Sequence, residues 1–377
     1  MHRLHISPDG NVTSDTVHQL SRNSLGGVLF PKLESLYWGS FETDTSPTFF
    51  RLFLSPHLKH VTLRIPRSFR VPRSQSVPLI QIVSLLPTSL QHLSFMYCQV
   101  GGPLTDAMSS LVCRSDPSLR SFCSYTHLSE TAVRHLTQLP NLHKWVTIQG
   151  PPQTVPLSIF PSLEELCLDE QAAIPWLHLL ASSHGKDTLR NGTVPMTPPT
   201  NTREMLKILK CRDAPIDPTF LSSITKFPNL VTLIVYTNCP RAGSCAFCLT
   251  DDDMENITTT LPRLENLQLG RPCDSSSCNT TVASLLSVST HCLGLTFLEV
   301  HFNTLTIVDD VQHLLDRDAG RDKSKCRLRH LRVGNLPFEV RGEDVKTVAR
   351  WFRVVFPCLV DFIGYNVTVT WNKLKYV

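Results

Sequence analysis

Leucine-type residues return along this chain in one spacing, Leu-x-x-Leu-x-Leu, commonly with a proline two positions ahead of the first. The phrase occurs twelve times. LPRLENLQLG from Leu261 is a full copy, as are FPKLESLYW from Phe30, FPSLEELCL from Phe160 and FPNLVTLIV from Phe227, while LPNLHKWVTI from Leu139 keeps the proline and the first two apolar positions. SPHLKHVTL from Ser55, LPTSLQHLSF from Leu86, DPSLRSFCS from Asp116, EMLKILKC from Glu204, CLGLTFLEV from Cys292, CRLRHLRV from Cys326 and FPCLVDFIG from Phe356 complete the series. The last two apolar positions are two apart, so they point to one face of a short strand, and the residues beside them point to the other. One face is core and the other is left open.

The segments between phrases carry helix signals. TDDDMENITTTLP places Thr250 as N-cap, acids in the first turn, Met254 and Ile257 three apart, and Leu-Pro as the stop. CNTTVASLLSVSTHCLG and RGEDVKTVARWFRVVFP follow the same plan. A strand of about five residues with a crossover helix cannot bury its apolar side alone, but stacked copies form a parallel sheet lined by helices. With a period of roughly 20 to 35 residues, the expected fold is α/β: a leucine-rich-repeat solenoid, curved and of the ribonuclease-inhibitor kind. Strands stacked about 4.8 Å apart give twelve repeats a concave surface of about 55 Å.

Repeats set the domain count more than length does. Residues 1–377 are expected to form a single solenoid, because repeat proteins grow by stacking units and not by enlarging one core. RLHI at the N-terminus reads as the tail of a repeat strand, so the chain is expected to start mid-repeat. Residues 185–203, rich in Pro, Thr and Gly, read as a flexible insertion, in which Thr197 before Pro198 is read as an ordinary loop residue with phosphorylation the lesser reading. Residues 366–377, in NVTVTWNKLKYV, alternate as a closing strand would.

A net charge of +4 is too slight and too evenly spread to argue for nucleic acid or membrane. No apolar run has signal-peptide or bilayer-spanning length, so an intracellular location, in cytoplasm or nucleus, is expected. The 13 cysteines, an odd number, fit a reducing compartment, with Cys167 and Cys211 read as small buried hydrophobes within the phrase. The sequons at Asn11, Asn191, Asn256, Asn279 and Asn366 are then expected to stay unmodified.

Nucleotide-binding, zinc-protease and serine-hydrolase signatures are missing, and a pattern consumed by repeats leaves little with which to build a deep catalytic pocket. The chain is read as non-catalytic and without cofactor. Cys239, Cys245 and Cys248, with Cys273 and Cys278 one repeat later, are chemically able to hold zinc, but their uneven spacing favours unliganded thiols. Arg64, Arg67, Arg70 and Arg73 recur at every third position in a proline-broken stretch, a solvated cluster first and an anion grip second. Asp251, Asp252 and Asp253 at a helix start are read as dipole compensation. The outward strand positions are the broader candidate: Tyr37, Thr62, Arg64, Ser94, Lys210, Ile234, Tyr236, Gln268, Glu299, His301 and Arg332. Mixed aromatic, basic, acidic and polar, they suit recognition of a protein partner, with aromatics and arginines as anchors, and an unused solvated face is the alternative.

LTDDDMENITTTLPRLENLQLG, NTTVASLLSVSTHCLGLTFLEVHFNT and LFPKLESLYW resemble the fungal, especially mushroom-type, F-box and leucine-rich-repeat proteins, over about Leu25 to Tyr365. The resemblance implies the substrate receptor of a cullin-type ubiquitin ligase, in which an N-terminal F-box docks the ligase adaptor and the repeats hold the target. This chain departs from that plan in showing no F-box-like segment before its first repeat. Adaptor binding is therefore expected only with an upstream F-box, and a stand-alone scaffold or decoy is the alternative, ahead of a zinc-dependent binder.

Overall fold

Proline locks φ near −65° and has no N–H to leave unpaired, so it suits the second position of a tight turn. The phrase uses it there. In the computed structural model, Leu33 N donates to Phe30 O at 3.0 Å across Pro31, Leu58 N to Ser55 O at 3.1 Å, and Leu230 N to Phe227 O at 3.1 Å. The next two amides then reach back to one carbonyl of the preceding repeat: Lys59 N and His60 N both donate to Glu34 O at 2.9 Å. Arg120 and Ser121 do the same to Gln91 O, at 2.8 and 3.0 Å. Turn and double bond together pin each strand's register before its ladder begins.

The structure describes residues 2–6, 19, 22, 27–39, 50–64, 76–96, 102–153, 160–182, 202–237, 249–270, 279–302, 307–317, 324–333 and 343–364. The strands are β1 (Arg3–Ile6), β2 (Ser35–Trp38), β3 (His60–Arg64), β4 (His92–Met96), β5 (Ser121–Ser124), β6 (Lys144–Thr147), β7 (Glu165–Asp169), β8 (Ile208–Arg212), β9 (Thr232–Tyr236), β10 (Asn266–Leu269), β11 (Phe297–Val300), β12 (His330–Val333) and β13 (Asp361–Gly364). RLHI and the twelve phrases each supply one.

Contacts divide the chain into two compact units, Met1–Leu168 with Ser183–Thr202, and Asp169–Ser182 with Arg203–Val377. In the first, β1 to β7 pair in parallel in chain order. In the second, β8 to β13 do the same. The helices are α1 (Ser76–Leu85), α2 (Pro103–Arg114), α3 (Glu130–Gln138), α4 (Glu170–Ser182), α5 (Thr202–Met205), α6 (Pro218–Ile224), α7 (Asp251–Thr260), α8 (Val282–His291), α9 (Ile307–Arg317) and α10 (Glu343–Val355). Each unit is thus an α/β leucine-rich-repeat solenoid of parallel strands and crossover helices.

Of the expected 185–203 insertion, Thr202 and Arg203 open α5; the rest lies outside the described residues, as do residues 366–377 and Thr197. No helix of the described residues is long and apolar enough to cross a membrane.

The leucine positions form three buried rows. In the first unit these are Leu33, Leu58 and Leu90, then Leu36, Val61 and Leu93, then Trp38, Leu63 and Phe95; in the second they are Leu230, Leu264 and Leu295, then Leu233, Leu267 and Leu298, then Val235, Leu269 and Val300. Each fully buried leucine adds about 2 kcal/mol of transfer free energy, and it does so only when the next repeat covers it. In two copies a hydroxyl stands in the third row: β5 ends at Ser124 and β6 at Thr147, both buried. Their hydroxyls accept from Thr126 N and Gln149 N, each at 3.1 Å, so the polar atom replaces a missing ladder partner. Gln149 then grips Leu128 twice, accepting from its N at 2.6 Å and donating to its O at 2.9 Å.

Gly270, the last letter of LPRLENLQLG, has φ of 85°, a left-handed conformation that favours glycine, while its N–H donates to Val235 O at 2.8 Å. Cys211 is buried as expected, but Cys167 is half-buried because it stands between the leucines Leu166 and Leu168, on the open side of β7. Cys292, whose carbonyl accepts from Leu295 N at 3.0 Å to close the turn of its phrase, and Cys326, at the proline's place in its own, are buried, and burial pushes their thiols up to about 12 and about 11.

Thr250 caps α7 in a full capping box with Asp253. Asp251 does more than complement the dipole. Its carboxylate accepts from Thr281 N at 2.8 Å, from Thr281 Oγ1 at 2.7 Å and from Ser284 Oγ, which ties the start of α7 to the start of α8.

Candidate binding surface

Strand alternation leaves each unit with one face of part-exposed side chains opposite the buried rows. The residue before the second leucine and the residue after it share that face. Two rows therefore run across each sheet, with equivalent positions about 4.8 Å apart.

In the second unit, one register row holds Lys210, Ile234, Gln268, Glu299, Arg332 and Ile363. Five of these, all but Ile363, are expected binding positions, with Lys210 half-buried at the row's start and Ile234 buried. Tyr236, one step further along β9, donates its OH to Gln268 Oε1 at 3.0 Å, and Gln268 Nε2 donates to Asn266 Oδ1 at 2.9 Å. Glu299 is only 7% exposed. Burial pushes its carboxyl above the usual carboxylate range, with Arg332 opposing, whose Nη1 lies 3.8 Å from Glu299 Oε2. The Arg332 guanidinium also stands 5.2 Å from the Phe297 ring centroid, a cation–π contact. His301, just past β11, is buried at 4% exposure, and its carbonyl accepts from Thr280 Oγ1. Ile234, Glu299 and His301 are thus less open than strand alternation alone implies.

The parallel row one step earlier, missed by reading only the position between the second and third leucines, holds Thr232, Asn266, Phe297, His330 and Asp361. His330 Nδ1 and Asp361 Oδ2 are 2.8 Å apart. Extending the period of two by one step would have found these residues.

In the first unit, Tyr37, Thr62 and Ser94 fall in one register row with Cys123. The Tyr37 ring meets His5 edge-on at 4.1 Å between centroids. Arg64, exposed, stands opposite Met96. The missed row here is Ser35, His60, His92, Ser121, Lys144 and Glu165. His60 and His92 stack with centroids 4.3 Å apart and planes 9° from parallel, and Lys144 Nζ bonds Glu165 Oε2 at 2.9 Å.

Cys239, Cys245, Cys248, Cys273 and Cys278 lie outside the described residues, as do Arg67, Arg70 and Arg73. Among the described residues, no group of three or more His, Cys, Asp or Glu side chains is placed to hold a metal ion.

No protein-family model matches the chain, and no curated protein matches its sequence. Among solved structures it is similar to the Rad7 and Elc1 complex in yeast, at 16% identity over 94% of this chain and 83% of that one, with a TM-score of 0.38. LegL7, a leucine-rich repeat-containing protein from Legionella pneumophila, is 12% identical over 97% of this chain and 91% of its own, with a TM-score of 0.35. The PEPR1–AtPEP1 structure is 13% identical over 90% of this chain and 44% of that one, again with a TM-score of 0.35. The fold assignment rests on the strand register and the buried rows described above.

Proposed function

We propose that this chain is a protein-recognition module that holds its partner against the open strand face, as the substrate-binding part of an F-box-type ubiquitin-ligase receptor. One observation carries the recognition reading: Arg332 lies over Phe297 and beside Glu299, while Tyr236 is steered by Gln268. Tyrosine and arginine are favoured interface anchors, and neighbours that hold them in place lower the entropy lost when a partner docks. The ligase half rests on the family resemblance of the repeat wording, and adaptor contact requires an F-box upstream of the repeats.

The test is affinity capture from cells with the wild-type chain beside Tyr236→Ala/Arg332→Ala. Two anchors of about 2 kcal/mol each predict a loss of well over tenfold in partner yield, with an unchanged melting temperature. Equal capture by the folded variant overturns this choice of face. A ligase adaptor among the captured proteins supports the receptor reading; a partner without adaptor points to a scaffold or decoy.

A further inference from the structure

We infer that the open face of β3, β4 and β5 is a docking site for a carboxylate-rich segment of a protein partner, centred on the stacked His60 and His92 rings. The inference rests on reading the open strand face as a recognition surface, but it concerns a different place from the Tyr236 and Arg332 anchors and a partner of defined chemistry.

Charge placement decides the occupant. Residues 59–64, 91–96 and 120–124 contain Lys59, His60, Arg64, His92 and Arg120 and no Asp or Glu. The nearest acids of the flanking strands stand on either side and are engaged there: Glu34 lies 3.7 Å from Lys59 and 3.8 Å from His2, and Glu165 bonds Lys144. Between them the face offers two half-buried imidazoles, the hydroxyls of Thr62 and Ser94 in the next register row, and the exposed Arg120 beside β5. A bare cation is a poor occupant for the imidazole pair, because Arg3, Lys59, Arg120 and Lys144 all press positive charge on it. A carboxylate gains from those same groups, and imidazolium N–H donors form charge-assisted bonds to it.

The site also carries a proton linkage. Burial first, and then Arg3 and Lys59, hold His60 below the ordinary imidazole range, against an opposing pull from Glu34. Burial first, and then His60, Arg120 and Lys144, do the same to His92. An acidic segment laid on the rings favours their protonated forms. By reciprocity, lowering the pH through the imidazole range tightens the segment's binding.

The experiment uses the full chain and a short fluorescent peptide of alternating Glu and Ser, with a Gln-for-Glu counterpart, followed by fluorescence anisotropy at low salt. We expect the Glu peptide alone to bind, about five- to tenfold tighter at about pH 5.5 than at about pH 7.5. His60→Gln/His92→Gln should remove that pH response. Arg120→Gln should weaken binding about three- to fivefold at either pH. Arg350→Gln, an exposed charge removed from α10 in the other unit, should change nothing.

Three outcomes overturn the inference: no binding of the Glu peptide, an undiminished pH response in the folded histidine variant, or equal weakening by Arg350→Gln, which would indicate bulk charge. Binding of inorganic phosphate without peptide binding would assign the patch to a different ligand and overturn it too. Should the histidine variant fail to fold, Arg120→Gln decides alone, since its side chain is exposed. Loss of peptide binding with unchanged partner capture through Tyr236 and Arg332 refutes this inference and leaves the proposed function standing.

Discussion

Replacing Asp251 by alanine tests how one repeat is fastened to the next. The carboxylate accepts from Thr281 N at 2.8 Å, from Thr281 Oγ1 at 2.7 Å and from Ser284 Oγ. A hydrogen bond to a charged group nets about 1.5–3 kcal/mol, but the three share one half-exposed carboxylate and do not add. Loss of the acid at the first turn of α7 adds about 0.5 kcal/mol from the helix dipole. Thr281 is also the N-cap of α8, accepting from Ala283 N at 3.1 Å, so loosening it weakens a second helix end.

The expected total is about 2–3 kcal/mol, which for a urea slope of about 2 kcal/mol per molar lowers the unfolding midpoint by about 1 M. Hydrogen exchange should place the loss in α7 and α8, because stability in a repeat stack is a sum over neighbouring interfaces. Asp252→Ala is the control: that side chain is exposed and shares the dipole position, so it should cost less than about 1 kcal/mol. If the two variants fall within about 0.5 kcal/mol of one another, Asp251 is a dipole residue only and the clamp has no energetic content.

Three further outcomes follow from the same geometry. Glu299→Gln should leave the chain at least as stable as the parent at neutral pH, because burial raises the carboxyl's folded pKa and its favourable contribution is lost as pH rises through that value. Below the ordinary carboxylate range the two chains should converge, and a variant that is strongly destabilised at neutral pH refutes the sign. Leu233→Ala, at a fully buried second-row position of β9, should cost about 2–5 kcal/mol by urea unfolding, and a cost under about 1 kcal/mol would mean the row is not close-packed. Without ligand, His60→Gln/His92→Gln should flatten the acid side of the stability curve. The folded imidazoles sit below their ordinary range, so their contribution is present at neutral pH and lost as pH falls through the folded values. An unchanged acid limb would show that the stack does not disfavour protonation.

The strands were legible because one spacing performs two tasks. In FPNLVTLIV, the turn needs Pro228 and the core needs Leu230, Leu233 and Val235, so every copy is constrained at the same places. The capping box at Thr250 was readable for the same reason: the acceptor and the returning acid are three residues apart. What local reading could not see were partners about thirty residues away, such as Thr281 for Asp251. Nor could alternation tell how deep an outward residue lies. Glu299 and Tyr236 have the same parity, yet one is buried and the other only half so. The rows through His60 in the first unit and through Phe297 and His330 in the second were visible in principle, since they needed only the strand's period of two carried one step, two residues, earlier.

Parallel stacking also decides where a partner has most to gain. Equivalent positions recur about 4.8 Å apart, so row neighbours meet one another before they meet a ligand. Lys144 is taken by Glu165, His330 by Asp361, and Arg332 leans toward Glu299 and Phe297. An incoming acid at those places has to compete with a carboxylate already in the row. Along His60, His92 and Ser121 the row contains no carboxylate, and the neighbouring charges repel protons from the rings. An acidic segment therefore displaces no resident acid at that step of the sheet and relieves repulsion among the groups already there. In the second unit's rows, the His330–Asp361 and Arg332–Glu299 pairs leave an incoming acid less to gain.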